Sequence, residues 1–561
     1  MLSINKKGTM LTNEGYIIPK KNLDQKNIMY IKACLNITPK NIYGDLDSFS
    51  IYKTTKNNII VPTAFGLDNF GVPETTTINN GKKINFKFSG NLRDYQQKAA
   101  DNVIPKLKMN YGGVINLSCG MGKTVLAIYI AKQLGVKTIV LTHRTELIKQ
   151  WIERIEFFTN AKVGIIKCGK VQTEGCDIVL STLQSLTSEK TKYPEEIFKD
   201  FGLAIYDEVH HLGSKVFSKV FKIVQPKYIL GLTATPRRAD GMYKIIQWCV
   251  GHILFKLLRP PNDKVLVHQI NYFARDHDFQ EKKKWNPVKR GVGPDVIKMI
   301  GNIQGLDVRN DLIAKVTFEF AKQDRRHIIV LGKRINQLVT LRQKVSKLIE
   351  QAIINEDMEK DEVTLSMYTG KEKSKELDVA KDATIIFATY DKAEEGLDIK
   401  TLNTLVIATP KKDSEQAIGR IMRKEDEFVF PTIIDFVDKL SIFERWGSLR
   451  ERFYKINKYK ISELFAYNNR LMCRKNYIRY KEGRKGQPLT TEKLNELYPL
   501  VAKLSNKDPT VHEITQLKPI DLKASMTVEQ YNNETQICNN NNDEDSESEN
   551  DEGVIDLSDF M

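Results

Sequence analysis

From Leu92 onward, short apolar runs alternate with stretches whose apolar residues recur at helical spacing. GVINL, TIVLT, DIVLS, LAIYD and YILGLT form one series, and HIIVL, ATIIFAT, TLVIATP and PTIIDF form a second. Runs this short, apolar throughout and separated by segments long enough to cross back over a sheet, predict buried parallel strands. Two such series in tandem predict an α/β chain with two parallel-sheet domains, over residues 89–255 and 306–436. Residues 1–88 instead mix short apolar stretches with Asn, Gly and Pro turns, as in IYKTTKNNIIVPTAFGL, and predict a small strand-rich module. The polar stretch 256–305, with EKKKWNPVKRGVGP, reads as a connector carrying some structure of its own. Residues 437–534 predict a basic, mainly helical extension, and from residue 535 the run NNNNDEDSESENDEG predicts an acidic disordered tail.

Charge sharpens the picture. The 561 residues carry 86 Lys+Arg and 70 Asp+Glu, a formal charge of +16. The last 19 residues hold nine acidic side chains and no basic one, which leaves +25 on residues 1–542. A basic body with an acidic tail points to a polyanionic partner, although a merely lysine-rich soluble protein would look the same on charge alone. No apolar run reaches the ~20 residues of a membrane helix, so no membrane partner is expected. The N-terminal MLSINKKGTMLTNEGY lacks the apolar core of a secretion signal. The seven cysteines are scattered and include no CxxC pair, which argues against a disulfide framework and a zinc site. An intracellular, non-secreted chain is expected.

The strongest local signal is Ser118-Cys119-Gly120-Met121-Gly122-Lys123-Thr124, placed between the apolar GVINL and the helical AIYIAKQL. Backbone N–H groups of such a glycine loop cradle phosphates at a helix N-terminus. Lys123 would reach the β- and γ-phosphates, and Thr124 would ligate Mg²⁺. The full GxxxxGK[ST] pattern wants glycine where this chain has Leu117. The second signal is LAIYDE, where Asp207 at a strand tip can hold the Mg²⁺ shell and Glu208 can polarise an attacking water. The DEVH box continues to His210, which can couple the nucleotide site to a neighbouring strand; with His211 it can also be read, less readily, as a metal pair.

With these motifs in order, residues 90–435 resemble superfamily 2 helicases of the DExH type, and the resemblance implies two RecA-like domains using ATP and Mg²⁺. LRDYQ resembles the upstream element in which Gln96 bonds adenine. THRTEL, followed by Gln150 and Trp151, resembles the first nucleic-acid motif, and STLQSL the next; Thr142, Arg144, Thr182 and, in the second domain, Thr389 are the matching contact positions. Thr233-Ala234-Thr235-Pro236 resembles the motif coupling hydrolysis to movement, to which Gly396 and Asp398 of EEGLD add the second domain's share. Gln416-Ala417-Ile418-Gly419-Arg420-Ile421-Met422-Arg423 fits QxxGRxxR, which implies that Gln416, Arg420 and Arg423 act on the nucleotide, the arginines as fingers. DEVHH, GLTATPRRADGM and EEGLDI look most like the XPB-like branch, which includes poxvirus-type transcript-release helicases; the Arg-Glu-Asp triple of XPB itself is absent.

The resemblance implies a nucleic-acid-stimulated ATPase, a 3′–5′ DNA helicase acting on a single strand or fork in viral transcription or in replication and repair. A viral source would place it in the host cytoplasm, or packaged in the virion. RNA as the substrate is the nearest alternative, and a binding scaffold with an inactive motor is a rival of another class. Residues 439–485 hold 14 Lys/Arg against four Glu, interleaved with nine aromatics. They read equally well as a second grip, with Trp446, Phe453, Tyr454 or Tyr459 stacking on bases, or as amphipathic helices with those rings in a core. EKKKWNPVKRGVGP is a weaker second candidate. The terminal VIDLSDFM is an idle end or a docking peptide for a protein partner.

Overall fold

The computed structural model describes residues 4–37, 49–211, 214–234, 243–274, 276–286, 291–370, 382–396, 399, 401–422, 429–467 and 470–472. The chain forms two compact units, the first built mainly from residues 1–260 and the second mainly from residues after 260. Each unit is centred on an eight-stranded sheet.

In the first unit the sheet runs Lys170–Val171, Val163–Lys167, Ile178–Thr182, Thr138–Thr142, Leu203–Tyr206, Tyr228–Thr233, Gly112–Leu117, Ile253–Leu257. All neighbours are parallel except the first pair. The central strands are buried along their whole length, which is why they read as unbroken apolar runs. Helix Thr145–Phe158 shows the complementary pattern, burying Leu147, Ile148, Trp151 and Ile155 on one face. The N-terminal residues form a five-stranded sheet with the helices Gln25–Leu35 and Thr63–Phe70. They belong to the same compact unit, for Phe65 packs edge-on against Trp248 at 5.7 Å and Asp68 pairs with His252 at 2.7 Å.

In the second unit the sheet runs Leu365–Tyr368, Ile385–Thr389, Ile328–Gly332, Thr404–Ile407, Thr432–Asp438, Leu266–Phe273, Lys460–Tyr467, Arg470–Met472. Its extent corrects the boundaries expected from sequence. The connector 256–305 contributes an interior strand, LVHQINYF, whose polar His268, Gln269 and Asn271 are buried and break the apolar run that would have marked it. The extension beyond 437 starts with helix Ile442–Ile456 and then supplies strand Lys460–Tyr467 beside that same strand, so its described part is mixed rather than mainly helical. The acidic tail and VIDLSDFM lie outside the described residues.

Strand Thr432–Asp438 is buried at all seven positions yet carries two carboxylates. Each meets a buried guanidinium. Arg309 bonds Asp438 at 2.7 and 2.8 Å with both side chains fully buried, and Arg450 bonds Asp435 at 2.8–3.1 Å. Burial pushes the Asp438 carboxyl up, and the Arg309 charge beside it opposes that shift. Removing one partner of such a pair strands the other charge in the interior. Arg309→Met is therefore expected to lower the unfolding free energy by about 3–5 kcal/mol, read as an earlier denaturant midpoint for the second unit. A loss below about 1 kcal/mol would mean that the pair does not carry the packing.

Candidate functional site

Strand Gly112–Leu117 delivers the chain to the loop Ser118–Gly122, and helix Lys123–Leu134 leaves from it. Gly120 and Gly122 have φ of 79° and 71°, the left-handed region that glycine enters freely. A side chain on Gly122 would also strike the Gln96 amide, 2.5 Å from where its Cβ would lie. Gly122 caps the helix without a side-chain bond, leaving first-turn N–H groups available to an anion. The loop is held from two sides. Tyr95 donates to the Met121 carbonyl at 3.2 Å, and Gln96 donates to the Met121 and Gly122 carbonyls at 3.3 and 3.2 Å. From the other side the Arg259 backbone N–H donates to Ser118 Oγ at 2.9 Å and its guanidinium to the Cys119 carbonyl at 3.1 Å.

Gln96 is thus engaged by protein at both ends of its amide, since its Oε1 also accepts from the Arg93 N–H at 3.0 Å. In this geometry it braces the phosphate loop. Leu117 is buried, and its carbonyl accepts from Lys123 Nζ at 3.4 Å, a contact that needs no glycine.

The carboxylates arrive on the next-but-one strand. Asp207 follows Leu203–Tyr206, and its N–H donates to the Leu141 carbonyl at 3.0 Å. Its side chain is buried, accepting from Trp151 Nε1 at 2.8 Å and from the Glu208 N–H at 3.0 Å. Glu208 takes φ of 48°, a conformation costly for a side-chain-bearing residue, and faces Lys123 at 3.3 Å. Burial disfavours the Lys123 ammonium, but Glu208, Cys119 and Asp207 around it hold its pKa above the ordinary lysine value. Burial, reinforced by Glu208, raises Asp207; the Trp151 N–H and Lys123 pull the other way. Glu208 lies 3.4 Å from His210 Nδ1, and that nitrogen is hydrogen-bonded to Thr233 Oγ1 at 2.8 Å. A continuous polar chain therefore runs Lys123–Glu208–His210–Thr233, from the phosphate loop to the tip of a neighbouring strand. Thr124 is the second residue of the loop's helix, half-buried. The residue types fit a nucleotide with Mg²⁺: a hydroxyl and two carboxylates as oxygen donors, with a glycine cradle beside them.

Thr142 and Thr182, two of the threonines read as phosphate ligands, both make hydrogen bonds within the protein. Thr142 and Thr182 sit side by side at the ends of paired parallel strands, both buried. Thr142 donates to the Arg144 carbonyl at 2.9 Å, and Thr182 caps a short helix by accepting from the Ser185 N–H at 3.1 Å. Their hydroxyls shape the loops, and Arg144 remains half-exposed at the start of helix Thr145–Phe158. Trp151 is buried and donates to Asp207.

In the second unit Thr389 ends strand Ile385–Thr389, and Gly396 is the last residue of helix Tyr390–Gly396. Gln416 and Arg420, four apart on helix Glu415–Ile421, are half-exposed above buried Ala417, Ile418 and Ile421. Thr235, Asp398 and Arg423 lie outside the described residues. The base of the arginine helix is braced by the segment read as a second grip. Arg450 joins Asp435 to the Lys411 carbonyl, and Tyr454 donates to Asp435 at 3.0 Å. Tyr454 and Tyr459 are buried, so these two rings are core and not base platforms. Arg259 was invisible in sequence because one arginine after a strand has no signature. Asn116, fully buried in register with Thr233, was hidden inside an apolar run.

A phosphate loop, a strand-tip Asp-Glu pair and two parallel α/β sheets define a nucleoside-triphosphate-driven motor of the RecA-like kind. The comparisons agree. Residues 89–238 match the family described as type III restriction enzyme, res subunit. A protein of Acanthamoeba polyphaga mimivirus, named provisionally as an ATP-dependent RNA helicase, is 35% identical over 84% of this chain and 91% of its own length. A protein of African swine fever virus named in the same way is 27% identical over 67% of this chain and 75% of its own. The DNA 3′-5′ translocase XPB2 of Sulfurisphaera tokodaii is 26% identical over 60% of this chain and 79% of its own. The chain belongs to the superfamily 2 helicases, alongside these ATP-dependent helicases of large DNA viruses and the archaeal XPB2.

The Trp151 N–H stabilises the charged form of Asp207, so removing it raises an already raised pKa. In Trp151→Phe the acid limb of the ATP-hydrolysis pH profile is expected to move to higher pH. An unmoved limb in the folded variant would show that Asp207 does not set it.

Proposed function

We propose that this chain is a nucleic-acid-stimulated ATPase, a DNA helicase that translocates 3′ to 5′ in viral transcript release or in DNA replication and repair. The observation that carries the reading is the polar chain Lys123–Glu208–His210–Thr233, which ties the phosphate-binding group to the strand tip expected to report hydrolysis. In this reading the loop N–H groups and Lys123 bind the triphosphate. Thr124 and Asp207 hold Mg²⁺, which supplies charge neutralisation on the phosphates. Glu208 orients and deprotonates the attacking water. Its ordinary partner Lys123 would be drawn to phosphate, leaving the carboxylate to His210 and the water. Gln416, Arg420 and Arg423 add positive charge to the transition state. Nucleic acid is gripped through its backbone by Arg144 and by main-chain amides near Thr142, Thr182 and Thr389, which gives register without base readout.

DNA and the 3′–5′ direction are supported by the name of the XPB2 relative. RNA is a second reading, favoured by the names of the two viral relatives. Lys123→Ala and Glu208→Gln are expected to reduce ATP turnover by at least about 100-fold while leaving the fold intact, measured as steady-state hydrolysis with single-stranded DNA, duplex DNA and single-stranded RNA. Stimulation by DNA over RNA supports the first reading, and stimulation by RNA alone supports the second. Normal turnover by a folded Glu208→Gln protein would remove the assignment of the catalytic base.

A further inference from the structure

Strands Lys283–Asn286 and Gly291–Pro294 form a two-stranded antiparallel ladder separate from all the larger sheets. Its base is closed by the Asp295 N–H donating to the Lys282 carbonyl at 2.7 Å. Trp285 stands directly across from Val292, and they are 61% and 66% exposed. Side chains opposed in this way share one face of the ladder. Val292 is flanked by Gly291 and Gly293, and a Cβ built on Gly293 would meet nothing within 4 Å. Gly293 pairs with Lys284 on the other face of the ladder, so on the face of Trp285 the facing strand offers one small side chain and the ring stays largely exposed. An isolated two-stranded ladder has little stability of its own, so a large apolar ring held in water there is a cost without a fold-level return.

The surrounding charge says what would cover it. Lys283 and Lys284 directly precede the tryptophan and are exposed; Glu281 and Asp295 lie just beyond the two ends of the ladder, and every charged position between them is basic. Protein-binding patches place aromatics in centres depleted of lysine. A flat ring beside consecutive lysines instead matches a polymer that alternates flat bases with phosphates. We infer that this ladder is a stacking site for single-stranded nucleic acid, with Trp285 receiving a base and Lys283 and Lys284 facing the phosphates next to it. Val292 supplies the apolar rest beneath the stacked base. Recognition of this kind tolerates any base, in keeping with a motor that reads backbone. The inference rests on the proposed function for its substrate class, and names a contact that none of the helicase motifs includes.

Of the four tryptophans, Trp151 is buried and Trp248 and Trp446 are half-buried, so Trp285 dominates exposed indole emission. Titration of the full chain with short oligothymidylate or oligouridylate, without nucleotide, reads the contact directly. Emission is expected to be quenched on binding, and the quench to vanish in Trp285→Phe while affinity stays near that of the parent. Trp285→Ala is expected to bind on the order of ten-fold more weakly. Equal affinity in all three proteins, or an undiminished quench in Trp285→Phe, would overturn the stacking site and leave the motor reading standing. Failure of the parent chain to bind either oligonucleotide would instead count against the motor reading itself.

Discussion

The Lys123 ammonium sits 3.3 Å from Glu208 in a pocket that also holds Asp207. At that separation and an effective dielectric of about 20, such a pair gains roughly 5 kcal/mol, which offsets part of the desolvation it requires. That balance is what makes the site responsive. In the proposed function a triphosphate would bring negative charge to the same ammonium, so that the carboxylate and the nucleotide compete for one cation. Whatever releases Glu208 changes its relation to His210, and through it to Thr233. The response is transmitted only if the loop itself does not yield. Hence the number of protein bonds made to the loop's carbonyls and to Ser118: Tyr95 and Gln96 from one side, Arg259 from the other.

The second unit meets a related constraint differently. Its strand Thr432–Asp438 carries carboxylates inside a sheet buried on both faces, and each is answered by an arginine from a different helix. These pairs fix the register of helix against strand, because a slip would strand a charge. Arg450 extends the fixation by reaching the Lys411 carbonyl, just before the helix that carries Gln416 and Arg420. The arginine helix has only seven residues, too short to hold its place by propensity alone. Its orientation is set by the buried polar floor beneath it.

Both α/β series, the loop Ser118–Gly122 and the pairing of Asp207 with Glu208 were legible because each depends on local chemistry: short apolar runs, glycines at positive φ, carboxylates at a strand end. What escaped was tertiary. Strand Leu266–Phe273 was lost in a connector because His268, Gln269 and Asn271 are buried by contacts made far along the chain, Asn271 with Glu463 among them. The bonds of Gln96 to its own N-cap and to the adjacent loop have no sequence signature of their own, because a glutamine three residues after a helix start can also point outward. The bonds of Thr142 to the Arg144 carbonyl and of Thr182 to the Ser185 N–H were hidden likewise, since position along the chain does not say which partner a hydroxyl takes.

Charge was the least legible quantity of all. Residues 439–485 carry a large positive excess, and counting alone suggested a nucleic-acid surface. Yet Arg450 is buried against Asp435, Lys439 lies 3.7 Å from Glu444, and Lys455 lies 2.8 Å from Glu451. Their aromatic neighbours Tyr454 and Tyr459 are core. Part of the excess in the described part of that segment therefore serves the interior and the helix surface, while Arg445, Arg452 and Lys458 are exposed. The ladder around Trp285 has fewer cations, but there an exposed ring and exposed lysines stand next to one another. A polyanion responds to the charges it can reach, so the net charge of a segment is a poor measure of the surface that nucleic acid would meet.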